Sequence, residues 1–264
     1  MTNSTISHKP SAISQSLTIG WLYPDLMSTY GDHGNILSFQ KRLEWRGIEA
    51  IIRPLSIGSK PQELSSCDLL FMGGAQDRQQ TIVANDFKNG KKEVLTEMIE
   101  SNIPGLYICG AYQFLGKYYK EADGMIIDGM GVLDLYTENP GGKTARLIGD
   151  ISIRTLALPN EIIIIGFENH GGRTYLGERA KPLGKVLKGS GNNGKDSTEG
   201  AVYKNSIGSY LHGPILPKNP LLTDYFLTKA LEIKYKESIT LTPLDDALEK
   251  KAHAIIVRKL EGGV

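Results

Sequence analysis

The sequence predicts an α/β fold with a mostly parallel central sheet. Three observations carry that expectation. Short apolar runs alternate with amphipathic stretches over the first 120 residues, as βαβ units require. Several of those runs end abruptly in glycine, at Gly73-Gly74 and at Cys109-Gly110. The chain has 264 residues, enough to bury a sizeable core without disulfides or metal.

Residues 1–16 are dominated by Ser, Thr, Lys and Pro and show no apolar period, so they read as a disordered tail. Residues 17–22 form a first buried strand, followed by the polar turn Tyr30-Gly-Asp-His-Gly-Asn35. Ile36, Leu37, Phe39, Leu43 and Trp45 recur at helical spacing, and Gly47 stops that helix. Strands at 48–55 and 68–72 come next, then a helix at 91–101. A strand at 105–108 meets Cys109, and a further helix carries Tyr112, Phe114, Leu115 and Tyr118. Beyond residue 120, β-like pieces at 132–136, 145–154, 161–167, 186–188 and 201–211 dominate, with 189–194 expected as an exposed loop tip. Helices resume at 219–236 and 244–260, and nothing divides residues 17–264 into separate domains.

Composition narrows the function. Thirty basic residues against twenty-nine acidic ones leave a net charge of +1, which offers no nucleic-acid footprint or polybasic membrane anchor. Two cysteines are too few for a disulfide framework, which favours reduced thiols in the cytoplasm. The first fifteen residues lack the apolar core of a signal peptide, and the longest apolar run, 162–167, is too short to span a bilayer. A soluble cytoplasmic protein is expected.

The strongest chemical signal is Gly105-Leu-Tyr-Ile-Cys-Gly-Ala-Tyr-Gln-Phe-Leu-Gly116. A strand delivers Cys109 into a tight turn that opens a helix, the placement of a nucleophile elbow. A helix N-terminus stabilises a thiolate, and the Gly110 N–H can face a developing oxyanion. By itself Cys109 fits a buried core thiol equally well. The second signal is His212, in Gly208-Ser-Tyr-Leu-His-Gly-Pro214, a histidine ending an apolar strand. A lone histidine is more often structural, and the pairing with an elbow cysteine is what raises this one. The third is Phe71-Met-Gly-Gly-Ala-Gln-Asp77, where consecutive N–H groups after a strand can bind an oxyanion or simply make a turn. His170 and Arg173, in Gly166-Phe-Glu-Asn-His-Gly-Gly-Arg-Thr174, fit a site, a partner surface or a structural turn.

Taken together along the chain, these segments resemble the class I glutamine amidotransferases, in the cobyric-acid-synthase-like branch. The segments Tyr23-Pro-Asp-Leu-Met-Ser-Thr-Tyr-Gly-Asp-His-Gly-Asn35, Arg146-Leu-Ile-Gly-Asp150, Gly166-Phe-Glu-Asn-His-Gly-Gly-Arg-Thr174 and Tyr210-Leu-His-Gly-Pro-Ile-Leu216 narrow the resemblance to the glutaminase subunits of lipid II isoglutaminyl synthases. It runs from about Leu17 to Ala230.

The resemblance implies a flavodoxin-like amidotransferase domain with Cys109 as nucleophile and His212 as its acid–base partner. It implies that Arg146 binds the substrate glutamine, as a guanidinium can grip an α-carboxylate through two parallel bonds. Without the family, Arg146 reads as a solvated strand residue. Gln113, one helical turn past Cys109, is expected to line the pocket or to satisfy local backbone. Gly74 and Gly110 are expected oxyanion donors, with Gly74 also at the substrate. The implied partner is a Mur-ligase-like (MurT-type) subunit that forms a heterodimer, carries ATP and Mg, and amidates the D-glutamate of lipid II to isoglutamine. This chain itself has no Gly-x-x-x-x-Gly-Lys-Ser/Thr loop, and no cofactor or metal is expected on it. Many class I enzymes place a glutamate two residues after the histidine, but here that position is Pro214. The orienting acid is therefore expected from the partner or from Glu168, with low glutaminase activity in the isolated chain. Two other readings remain: an amidotransferase for another acceptor such as a corrinoid, and a non-catalytic flavodoxin-like scaffold or thiol sensor.

Overall fold

The computed structural model describes residues 15–142 and 144–262. The expected tail falls almost wholly outside the described residues. In chain order the elements are β1 (Ser16–Leu22), a short 3-10 turn (Thr29–Gly31), α1 (His33–Glu44), β2 (Glu49–Leu55), α2 (Pro61–Ser65), β3 (Leu69–Met72), α3 (Asp77–Phe87), α4 (Lys91–Glu100), β4 (Gly105–Ile108) and α5 (Gly110–Leu115). The second half contains β5 (Tyr118–Lys120), β6 (Ile126–Asp128), β7 (Leu135–Glu138), β8 (Leu147–Thr155), β9 (Ile163–His170), β10 (Arg173–Leu176), β11 (Gly184–Lys188), β12 (Thr198–Glu199), β13 (Ala201–Tyr203) and β14 (Ser206–Ser209), then α6 (Ile215–Lys218), α7 (Pro220–Tyr235) and α8 (Ala247–Leu260).

The central sheet has six strands in the order β13-β14-β4-β3-β1-β2. Its pairings are parallel except β13 with β14. Both faces are covered, which is why neighbouring residues of one strand are all apolar. Leu69 and Phe71 enter one core with Phe39 of α1 and Phe226 of α7, whereas Leu70 and Met72 enter the other with Phe87, Leu95 and Tyr112. Pro54 sits on β2, at the sheet edge, where a missing N–H costs no ladder bond.

Two four-stranded sheets flank this centre, in the orders β10-β7-β5-β6 and β12-β11-β8-β9. The second is antiparallel and joins the centre through a bridge between Phe167 and His212.

Four of the departures from the sequence reading bear on the site and its surroundings. Helix α3 was not expected, because Gln80 and Asp86 face inward beside Val83 and Phe87 and blank out the apolar period. Tyr118 belongs to β5 and not to the helix after Cys109, which ends at Leu115. The expected strand at 201–211 is a hairpin turning at Lys204, where φ is +53°. The supposed exposed tip at 189–194 is tucked in: Gly191, Asn192 and Asn193 are buried. The buried Glu168 carboxylate draws it there, accepting from Ser190 N–H at 2.7 Å and Gly191 N–H at 2.9 Å. The Tyr112 hydroxyl donates to Asn192 Oδ1 at 3.0 Å.

Candidate active site

Strand order reverses direction at β1, with β2 on one side and β3, β4 and β14 on the other. In open parallel sheets the crevice outside the carboxyl ends at such a point is the usual site. Here β1, β3, β4 and β14 all point the same way. Their ends deliver, in turn, the segment reaching Asp32, the pair Gly73-Gly74, Cys109, and the segment reaching His212.

Cys109 follows the last residue of β4 and caps α5 with φ +51° and ψ −104°. A side chain at positive φ costs on the order of 1–3 kcal/mol, so the turn must be held from outside. It is held on both sides. The Cys109 N–H donates to Ser209 O at 2.8 Å, and its carbonyl accepts from Gln113 N–H at 2.9 Å. The thiol is thus lifted off the sheet edge and remains half-buried, while Cys67, the other cysteine, is buried.

His212 is fixed by a reciprocal pair of backbone bonds with Phe167, at 2.8 and 3.1 Å, and its ring is fully buried. Gly74 is where the two functional groups meet. A Cβ on Gly74 would stand 2.9 Å from His212 Cε1 and 3.3 Å from Cys109 Cβ, so only a glycine lets cysteine and histidine close over it. Burial opposes charge on the imidazole. The Cys109 thiolate and the Asp32 carboxylate outweigh it and push the His212 pKa up to about 10.

Asp32, at the start of α1, escaped the sequence reading. It is fully buried, with Oδ1 3.5 Å from His212 Nδ1, ion-pair range but long for a hydrogen bond. Its Oδ2 accepts from Gly74 N–H at 2.7 Å. That bond corrects the expectation that Gly74 donates to an oxyanion, since its N–H already serves Asp32. The next amide, Ala75 N, lies 3.0 Å from where a Gly110 Cβ would stand, which brings Ala75 beside the second expected donor, Gly110. Glu168 is corrected too: both of its oxygens accept backbone N–H groups of the 189–194 loop, so the carboxylate beside His212 is Asp32.

A cavity of about 420 Å³ opens over the thiol, lined by Cys109, Gln113, Arg146, His170, Asp77 and Ala75 among others. Arg146 and Gln113 are therefore brought to Cys109 as expected. Arg146 is oriented by Asn169, donating from Nε to Oδ1 and from Nη2 to the carbonyl, both at 2.9 Å. The Gln113 amide is locked between Tyr210 and Gln80, at 3.1 and 3.0 Å. The His170 ring stacks on Tyr210 at 3.6 Å, with Nδ1 2.8 Å from Gly172 O, and burial lowers its pKa. Arg173 does not join this cavity; it staples Ala145 O to Gly171 O, each at 2.7 Å. Asp77, also unforeseen, places a carboxylate in the same cavity as Arg146, and burial raises its pKa. Among the described residues, no group of three or more His, Cys, Asp or Glu is placed to hold a metal ion.

Residues 18–220 match the CobB/CobQ-like glutamine amidotransferase domain. The chain belongs to that family. This amidotransferase is 42% identical over 243 residues to the lipid II isoglutaminyl synthase (glutamine-hydrolyzing) subunit GatD of Staphylococcus aureus (strain N315), covering 91% of this chain and 95% of the relative. It is 41% identical over 251 residues to the GatD subunit of Streptococcus pneumoniae (strain ATCC BAA-255 / R6), covering 95% and 94%. A cobyric acid synthase of Desulforamulus reducens is 30% identical over 178 residues, which are 62% of this amidotransferase but 33% of that protein. Among solved structures, one of a glutamine amidotransferase superposes with a TM-score of 0.52 at 18% identity, over 80% of this chain and 98% of the other. The PurLQS structure from Thermotoga maritima gives 0.52 at 14% identity, over 85% of this chain and 100% of the other. Both likenesses speak to the fold alone, a glutamine amidotransferase α/β domain.

Proposed function

We propose that this amidotransferase is the glutaminase subunit of a lipid II isoglutaminyl synthase. It hydrolyses glutamine to glutamate and ammonia. The ammonia passes to a Mur-ligase-like, ATP-dependent subunit that amidates the D-glutamate of lipid II to isoglutamine. The observation that carries the chemistry is Cys109 on its strained helix cap, closed against His212 over a glycine. The acceptor is supported by near-full-length similarity to two GatD subunits, whereas cobyric acid synthases match over a third of their length.

In this mechanism the Cys109 thiolate attacks the side-chain carbonyl carbon of glutamine, and the carbonyl oxygen takes up the negative charge. The Gly110 and Ala75 amides stabilise that oxyanion. Imidazolium at His212 protonates the leaving nitrogen, so the C–N bond breaks and ammonia departs from a thioester. His212, now neutral, takes a proton from water as the water attacks the thioester, and glutamate and the thiolate are released. Arg146 grips the α-carboxylate, and Gln113 shapes the wall. ATP and Mg belong to the partner, and the reaction on this chain needs no cofactor. Reduced Cys109 chemistry suits the cytoplasm, and among the described residues no helix is long and apolar enough to cross a membrane.

Glutamine hydrolysis by this chain, alone and mixed with a Mur-ligase-like subunit, tests the reading. Hydrolysis strengthened by that subunit, with lipid II amidated, is expected; a folded chain inert in both settings would refute it.

Two further results are expected from the pocket. Arg146→Ala should raise KM for glutamine by about 10–100-fold, the worth of a charge-assisted bond pair at ~1.5–3 kcal/mol. Steady-state kinetics would show it, and an unchanged KM would remove Arg146 from the substrate. Gly74→Ala should lower kcat on the order of 100-fold, the scale of a 1 Å misplacement, because the new methyl collides with His212. A wild-type rate in that variant would mean the cysteine and histidine need not close.

A further inference from the structure

Resting on that reading, we infer that Asp77 anchors the α-ammonium group of the substrate glutamine and makes this chain selective for the free amino acid. At neutral pH free glutamine carries opposite charges at the end remote from the reacting amide. Each loses water on entering a pocket and needs a partner there. Arg146 meets the α-carboxylate, which leaves the ammonium to be paired. Among the described residues lining the cavity over Cys109, Asp77 is the one carboxylate.

The turn after β3 sets the arrangement. Ala75, whose amide serves the oxyanion, and Asp77, the first residue of α3, sit on that same turn. Glutamine likewise joins its amide to its charged end by a short methylene chain. Arg146 is exposed and Asp77 half-buried, so the charged end of the substrate lies toward the cavity mouth. Arg146 acts on Asp77 as a charge through space and not as a hydrogen-bond partner, which leaves room for a zwitterion between them.

Other acceptors on the cavity wall already hold donors. Asn169 Oδ1 and its carbonyl take Arg146, the Gly171 and Gly172 carbonyls take Arg173, and Gln113 Oε1 takes Gln80. Burial raises the Asp77 pKa, while the Tyr119 hydroxyl and Arg146 work against it, and a bound ammonium would join that second side. Asp123 and Glu121 stand close enough to repel Asp77, a repulsion that a cation relieves. A glutamine whose α-nitrogen is acylated, as inside a peptide, has no charge to offer and adds bulk where Asp77 stands. It forfeits the pair and leaves the carboxylate without its cation.

The experiment measures kcat/KM in the complex with the Mur-ligase-like subunit for glutamine, for 4-carbamoylbutanoate, which lacks only the amino group, and for Nα-acetylglutamine. Wild type is expected to prefer glutamine over 4-carbamoylbutanoate by about 10–100-fold, the range of one hydrogen bond between charged groups. In Asp77→Asn that preference should fall to within about threefold, through a raised KM for glutamine at nearly unchanged kcat. A damaged fold would slow both substrates alike and leave the ratio untouched, so the ratio isolates the pairing of Asp77 with the ammonium. An Asp77→Asn complex that keeps the wild-type ratio would overturn the inference. Should that variant fail to fold, wild type decides: equal kcat/KM for glutamine and either analogue overturns the anchor, and refusal of both analogues supports it. If wild type hydrolyses no glutamine even with the subunit, the functional reading fails and the anchor with it. Hydrolysis that is indifferent to Asp77 removes the anchor alone.

Discussion

Cys109→Ala abolishes glutamine hydrolysis, and Cys109→Ser leaves no more than roughly one part in 10³ of it, the scale of losing a nucleophile or its base. The loss is expected to be this large because nothing near the thiol can replace it. The elbow presents one side chain to the cavity, at a backbone angle held by Ser209 and Gln113. A serine there keeps the shape, but its hydroxyl must lose a proton that the thiol gives up far more readily. The substitution also has a signature at a distance. The Cys109 charge is the largest of the causes that raise the His212 pKa, ahead of Asp32, so removing it should move the imidazole titration down from about 10. Histidine NMR across pH 6–11 (a range set by the ordinary value of about 6.5) would record that shift. Residual glutaminase activity near wild type in a pure Cys109→Ala chain would dispose of the covalent mechanism.

The strands that build this site were legible because they are buried on both faces. Leu69 to Met72 and Leu106 to Ile108 are apolar at every position, and such runs announce themselves without any period. Cys109 and His212 were legible for a related reason: each ends such a run beside glycine. Asp32 was not. It lies in a polar turn far along the chain from both Gly74 and His212, and only the parallel order of β1, β3, β4 and β14 makes it their neighbour. The signal available was an acid in the turn after β1, in a sheet whose other strand ends already carried a thiol and an imidazole. Asp77 was hidden differently, because α3 was missed. That helix buries Gln80, bonded to Gln113, and Asp86, bonded to Tyr23. Polar groups buried with partners are invisible to a reading that equates inside with apolar. Glu168 misled for the same reason. It looked available as an acid, but it organises the 189–194 loop.

Arg42→Met is expected to lower stability by about 3 kcal/mol, the lower end of what breaking a buried ion pair costs. Arg42 lies on α1 with its side chain 5% exposed and holds two carboxylates at once. Nε and Nη2 donate to Asp224 of α7, both at 2.7 Å, and Nη1 donates to Asp246 at 2.6 Å. Methionine preserves most of the apolar stem but leaves both acids facing a neutral side chain. The lower figure applies because Asp224 is a quarter exposed and keeps Arg46 at 2.8 Å. Among the described residues Asp246 makes no second ion pair within 4.0 Å. It precedes α8, a helix that buries none of its own residues and otherwise reaches the body through contacts such as His253 with Ile163 O at 3.0 Å. Loss of Arg42 should therefore loosen α8 first, visible as faster amide exchange there than in α1 or α7. A melting temperature roughly 6–12 °C lower would accompany it at neutral pH, at about 2–4 °C per kcal/mol for a chain of this size. The pH dependence has a definite sign. Arg42 holds the Asp246 carboxyl below its usual range, so this stabilisation is present above the unfolded value of about 3.9 and is lost as pH falls through the folded one. Wild type and variant should converge as the medium is acidified below about pH 4. Equal melting temperatures at pH 7 would mean that the Arg42 pairs contribute nothing net.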